Sequence, residues 1–252
     1  MIKIAWMYPD TLYLHGERGN ALALKHFSEV LGGEAVLDKV DFETKDFDPM
    51  DYDILFFAPG EVSSFEVIGE DMDRYMDRLK EFIESGRAVI ATGTTLGLFG
   101  GEVSRTDGSK THGIGFIPVT AVEREYVYGD DEQINADYHG KTMEVVGNQI
   151  QMINISFEET AEFRRFGSVV YGMGNNGRDG IEGVVYKNSV FTNMLGPVLV
   201  NNPWLTSEII RAAAEASGKK VKAEDPDFEL EKKSLECKKL FIAEKKPGSM
   251  GL

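Results

Sequence analysis

Apolar and polar positions along the first hundred residues follow a repeating grammar. Residues 2–7 (IKIAWM) form a short apolar run that ends at Pro9, the pattern of a buried first strand. Asn20 then precedes a stretch in which Ala23, Leu24, Phe27, Val30 and Leu31 recur at helical spacing, and Gly32-Gly33 closes it as a C-terminal cap. The unit repeats at 53–58 (DILFFA), followed by a helix with Met72, Tyr75, Met76, Leu79, Phe82 and Ile83 on one face and Gly86 after its end. A third run, 88–92 (AVIAT), leads through Gly93 into TTLGLFG. Continuous apolar strands alternating with amphipathic helices predict an α/β fold whose parallel sheet is covered on both faces.

From about residue 116 the texture changes. Short strands (FIPVTAV, TMEVV, IQMINI, SVVYGM, GVVYK, SVFTNML) are separated by turn signals such as Tyr138-His139-Gly140 and Asn175-Asn176-Gly177. This half is expected to add antiparallel strands to one edge of the sheet. A last helix is framed by Asn202 as cap, Pro203 at its first position and Gly218 beyond its end. Residues 219–252 are rich in Lys and Glu, with Phe228, Leu235, Leu240 and Phe241 scattered among them. They read as a charged helix on the surface or docked on a partner, with a frayed end over 245–252. The expected organisation is one domain over 1–218 and this tail over 219–252, without internal repeats.

Composition narrows the function. A formal net charge of −15 argues against nucleic acid, whose binding rests on clustered Lys and Arg. The single cysteine, Cys237, excludes an intrachain disulfide and a cysteine-rich metal site, and a reducing compartment follows. The opening MIKIAWMYPDTLYLHG holds an apolar run too short for a signal segment or a membrane span, so a cytoplasmic protein with no membrane partner is expected.

Several motifs reduce to structure. Gly172-Met173-Gly174-Asn175-Asn176-Gly177 matches G-x-G-x-x-G, but the chain runs on into the strand GVVYK where a dinucleotide site needs a helix. A hairpin with an Asn-Gly type I′ turn is the better reading. His15, His26, His112 and His139 show no ligand spacing, so neither a metal nor a cofactor is expected, and His26 falls within the first helix. Asp71, Asp73, Asp77, Glu81 and Glu84 lie on the polar side of a helix. The informative segment is 89–100 (VIATGTTLGLFG). A buried strand turning abruptly into a helix lifts one residue above the carboxyl edge of the sheet and frees the next amides to hold an oxyanion. In hydrolases that residue is Ser or Cys; here it is Gly93.

These residues resemble the class I glutamine amidotransferase-like subunit of lipid II isoglutaminyl synthase and, more distantly, the glutaminase domain of cobyric acid synthase, over roughly residues 1–215. Tyr8-Pro9-Asp10 and His15-Gly16-Glu17-Arg18-Gly19-Asn20 are similar to that family's Y-P-D-x-x-x-x-Y-G-D-R-G-N. Residues 172–188 (GMGNNGRDGIEGVVYKN) are similar to its G-x-G-N-N-G-x-D-G-x-E-G-x-x-Y-K-N, and Thr192 to Pro197 with Asn202-Pro203 to its T-Y-L-H-G-P and N-P. The resemblance implies a flavodoxin-like, doubly wound, mainly parallel sheet with antiparallel edge strands. It also implies a Mur-ligase-like synthetase as partner, to which active relatives deliver ammonia for amidation of a peptidoglycan precursor.

Residue-by-residue transfer exposes departures. The family's A-I-C-G-G-Y-Q-L-L-G falls on Ala91 to Gly100, which places its nucleophilic cysteine at Gly93 and its two glycines at Thr94 and Thr95. The histidine that would serve as base falls at Leu195. Its G-G-G-Q-D loop is only partly kept as Ala58-Pro59-Gly60-Glu61-Val62, and its F-E-N-H-G-G-R-T survives as Phe157-Glu158 alone. No catalytic residue is therefore expected, and Gly60, Glu61, Gly93, Thr94, Thr95 and Leu195 are expected to line the degenerate pocket. The alternatives are an enzyme of altered chemistry using Thr94, Thr95, Glu61 and Arg124, or a small-molecule-binding module. Convergent polar groups in the cleft favour an enzyme, and a filled apolar pocket around Leu195 favours a scaffold.

Overall fold

The computed structural model describes residues 1–245, so the fray expected over 245–252 lies, from 246 on, outside the described residues. The first half runs β1 (Ile2–Met7), α1 (Arg18–Val30), β2 (Ala35–Val40), β3 (Ile54–Phe57), α2 (Phe65–Met72), α3 (Met76–Glu84), β4 (Ala88–Thr92) and α4 (Thr95–Phe99). Every residue of β3 and β4 is buried. Successive side chains of a strand point to opposite faces, so both faces of the sheet are covered there, which accounts for unbroken apolar runs instead of alternation.

The second half runs β5 (Glu102–Ser104), β6 (Lys110–His112), β7 (Val119–Tyr138), β8 (Lys141–Phe157), β9 (Phe163–Tyr171), β10 (Ile181–Tyr186), β11 (Ser189–Thr192), α5 (Val198–Asn201), α6 (Pro203–Ala216) and α7 (Glu229–Glu244). Among the described residues the strands form a single sheet in the order β2-β1-β3-β4-β11-β10-β9-β7-β5-β6, with β8 paired on β7. Its parallel part, β2-β1-β3-β4-β11, has the flavodoxin-like strand order. From β10 onward the pairings with β9, β7 and β8 are antiparallel, the expected extension at one edge.

The strands of this extension are longer than the local sequence pattern predicts. TMEVV and IQMINI are one 17-residue strand, β8, and most of FIPVTAV opens the 20-residue β7. Gly147-Asn148-Gln149, which separates the two runs, is strand and not turn. A β-carbon on Gly147 would stand 2.6 Å from the Leu195 carbonyl oxygen, so glycine there permits a close backbone approach. The β7–β8 hairpin does close at His139-Gly140. Both residues have positive φ (53° and 73°), as a two-residue type I′ turn requires, and Tyr138 faces Lys141.

The edge of β8 is covered by side chains and by a backbone bridge. Asn148 and Leu195 pair in an isolated antiparallel bridge. Asn202 accepts from the Val146 N–H at 3.0 Å through Oδ1 and donates to the Val146 carbonyl at 2.7 Å through Nδ2, so its amide stands in for a neighbouring strand. Asn202 holds the cap position before Pro203 as expected, but its side-chain amide makes no capping bond and is committed to β8. α1 begins at Arg18, two residues before Asn20. No helix among the described residues is long and apolar enough to cross a membrane.

Candidate functional site

β4 ends at Thr92, and the chain turns at Gly93 with φ of 62° before α4 begins. The Gly93 N–H donates to the Thr192 carbonyl at 2.7 Å, which fixes the elbow to the end of β11. Left-handed backbone at this point costs a glycine nothing and a β-branched or bulky residue a good deal. A β-carbon on Gly93 would stand 2.9 Å from Pro59 Cβ and 3.0 Å from Leu195 Cδ2. The fold thus brings Gly93 and Leu195 together from opposite ends of the sequence, and Pro59 and Leu195 fill the space into which an elbow side chain would project.

The two hydroxyls that follow the elbow are committed, whereas that of Thr92, just before it, is buried without a hydrogen-bond partner. Thr94 Oγ1 donates to the Gly60 carbonyl at 2.6 Å and accepts from the Gly60 N–H at 3.1 Å. Thr95 Oγ1 donates to the Thr92 carbonyl at 2.7 Å. Gly60, Thr94, Thr95 and Leu195 are all buried, and a β-carbon on Gly60 would overlap Leu12. Glu61 lies outside this packed centre, exposed. Arg124 stands apart on β7, where its guanidinium donates to Asn154 Oδ1 at 2.7 Å and to the Tyr126 carbonyl at 3.2 Å.

Residues that the sequence reading did not single out hold Leu195 in place. Leu195 N–H donates to the Asn148 carbonyl at 2.8 Å and the Asn148 N–H donates back at 3.0 Å. The next N–H, that of Gly196, donates to Glu17 Oε1 at 2.8 Å. Glu17 is fully buried, and burial pushes its carboxyl up to about 7 against the bonds from Gly196 and Asn20. Asn20 in turn accepts from the Leu199 N–H at 2.8 Å. The signal for these roles was the HGERGN motif itself, although its partners are too distant in sequence to be read from it.

Residues 172–180 form a nine-residue loop between β9 and β10 instead of the expected type I′ hairpin turn. Gly172, Gly174, Gly177 and Gly180 take positive φ, whereas Asn176 does not. The asparagines work through their side chains: Asn175 Oδ1 accepts from the Gly183 N–H at 2.8 Å and from Asn193 Nδ2 at 2.9 Å, and Asn176 Nδ2 donates to the Ile155 carbonyl. The loop encloses two fully buried carboxyls. Glu182 accepts from Thr192 Oγ1 at 2.5 Å and from the Asn193 N–H at 2.8 Å, and Glu132 accepts from the Gly174 N–H at 2.9 Å. Burial raises both, and for Glu132 the Glu182 charge adds to the effect. Among the described residues no group of three or more His, Cys, Asp or Glu side chains is placed to hold a metal ion.

A flavodoxin-ordered parallel sheet, a strand-to-helix elbow at its carboxyl edge and an antiparallel extension define the class I glutamine amidotransferase fold. A solved glutamine amidotransferase superposes with a TM-score of 0.53 at 16% identity, over 83% of this chain and 98% of that one. The chain is homologous to the GatD subunits of glutamine-hydrolysing lipid II isoglutaminyl synthase. It is 28% identical to that of Streptococcus pneumoniae over 215 residues, covering 84% of this chain and 80% of the relative. To that of Staphylococcus aureus it is 25% identical over 233 residues, covering 92% and 91%. No family model matches the chain.

Proposed function

We propose that this chain is a glutamine amidotransferase-like subunit that has lost glutaminase chemistry and serves as a non-catalytic partner of a Mur-ligase-like synthetase in cell-wall precursor metabolism. The observation that carries the reading is the packed elbow, where Pro59 Cβ and Leu195 Cδ2 stand 2.9 and 3.0 Å from the position a β-carbon on Gly93 would take. Hydrolysis of glutamine through a thioester needs a thiolate nucleophile and a base to take its proton. Glycine and leucine supply neither. The hydroxyl that follows the elbow, on Thr94, both donates to and accepts from the Gly60 backbone, which leaves it no proton acceptor of the kind a nucleophile needs. The GatD relatives are named as subunits of a glutamine-hydrolysing lipid II isoglutaminyl synthase; on this reading the assembly and the substrate pathway carry over to the present chain, and the hydrolysis does not.

The test is ammonia release from glutamine by the purified chain. No release above a blank is expected. Turnover that disappears in Thr94→Val, with the variant still folded by circular dichroism, would overturn the proposal. Gly93→Cys with Leu195→His restores both groups but still requires Pro59 to shift, so weak activity at most is expected from that pair.

A further inference from the structure

The Lys- and Glu-rich tail folds as α7, and its attachment to the body is mostly ionic. Leu235 and Ile242 are buried, together with Phe228 just before the helix, while Leu230, Leu240 and Phe241 stay exposed. Between helix and body lies a cavity of about 320 Å³ lined by Val146, Asn201, Leu235, Cys237, Lys238 and Phe241. The helix therefore spans a gap, where a well-packed element would fill it. Lysines supply the remaining contacts: Lys239 pairs with Glu144 at 2.9 Å, Lys238 with Asp131 at 2.6 Å, and Lys245 with Asp131 at 2.7 Å and also with Asp130.

Asp131 is the point where these contacts meet the site. It is only 7% exposed, and its Oδ1 also accepts from Asn148 Nδ2 at 3.0 Å. Burial alone would lift this carboxyl, but Lys238 and Lys245 outweigh burial and hold it below its ordinary value. Asn148 is the residue whose backbone makes both hydrogen bonds of the bridge to Leu195, and Leu195 is the side chain packed against the elbow. A continuous line of contacts thus runs from the α7 lysines through Asp131 and Asn148 to Leu195.

We infer that α7 is a salt-sensitive latch which, when docked, holds the Leu195 segment closed over the elbow through Asp131 and Asn148. Undocking leaves Asp131 without its cations and opens its carboxylate to water. Water then competes for the carboxylate, its bond from Asn148 weakens, and the Asn148–Leu195 bridge opens. Since α7 is held by partly exposed ion pairs, salt shifts it towards the undocked state. The inference is independent of whether the elbow retains any chemistry.

Hydrogen–deuterium exchange on the full chain tests it. Raising KCl from about 0.05 to 1 M, where the screening length falls to roughly 3 Å, should speed exchange of α7 and of the Asn148 and Leu195 amides together. The double variant Lys238→Gln/Lys245→Gln should do the same at low salt, by about tenfold or more, while the amides of β4 stay protected. In Asn148→Ala, salt should still free α7, but exchange at Leu195 should no longer respond to it. Faster exchange in α7 with the wild-type Asn148 and Leu195 amides unchanged would overturn the inference, as would an α7 indifferent to both salt and the lysine replacements. Should the double variant lose protection in β4 as well, the salt series on the unaltered chain decides between these outcomes.

Discussion

Glu17 accepts a hydrogen bond from the N–H of Gly196, 179 residues further along the chain, at 2.8 Å. This bond ties the start of α1 to the segment carrying Leu195, and burial keeps the carboxyl that makes it near half-protonated at neutral pH, at about 7. A folded value raised above the unfolded one means that the folded chain holds a proton which the unfolded chain has released. The associated stability is complete below the unfolded value and disappears as pH rises through about 7. Between about pH 4 and pH 8 the loss should approach roughly 3 kcal/mol. Urea unfolding of the wild type and of Glu17→Gln across this range checks it, since the variant should lack that part of the slope.

Replacing Gly93 by alanine should destabilise the fold by about 2–4 kcal/mol, because a left-handed φ and two close contacts act at one atom. Adding Leu195→Ala relieves the contact to Leu195 but leaves Pro59 and the backbone conformation. The double variant should therefore recover part of the loss without matching the wild type, a non-additivity that a double-mutant cycle by chemical denaturation measures directly.

Asn202 makes three buried hydrogen bonds, two to the backbone of Val146 and one to the Val198 carbonyl. Asn202→Ala leaves the Val146 N–H and carbonyl without partners and should lower stability by about 2–4 kcal/mol. Asn202→Asp should be at least as damaging above pH 5 or so, because an ionised carboxylate cannot donate to either carbonyl. Thermal unfolding of both variants at neutral pH tests the order.

Glu132 and Glu182 form a second pH-dependent element. Burial raises Glu132 first and the charge of Glu182 adds to it, so the pair holds a proton to higher pH than free carboxyls do. As with Glu17, the linked stability is present at low pH and is lost as the pair ionises. Glu132→Gln keeps an acceptor for the Gly174 N–H while removing a charge, so it should be closer to the wild type at pH 6 than at pH 9, where it should be the more stable chain. Melting temperatures of the two chains at both pH values decide this.

Local pattern made much of the fold legible. The ILFF and AVIAT strands, the elbow at Gly93 and the His139-Gly140 turn follow from apolar runs and glycine placement, which depend on adjacent residues. β8 reads as two runs because a glycine that admits the Leu195 carbonyl, as Gly147 does, looks in sequence the same as one that ends a strand. Asn175-Asn176-Gly177 misled similarly: its asparagines bond through their side chains to β8, β10 and the Thr192-Asn193 segment instead of setting a tight turn. Within the site, placing Gly93 and Leu195 on the matching positions of a related pattern brought out a pair that the structure puts in contact. Glu17, Asn148 and Asn202 stayed hidden because each acts on residues dozens to nearly two hundred positions away.

The strand order has a consequence for biosynthesis. β4 pairs on one side with β3, but its other neighbour is β11, with Ile90 opposite Val190. Until the ribosome has released residue 192, this fully buried strand of the nascent chain has a bare flank, and the roughly hundred residues made in between, which pair elsewhere, cannot cover it. Slow closure of such a distant pairing exposes a sticky edge during synthesis, so chains arrested between residues 100 and 185 should be the ones that aggregate or recruit chaperones.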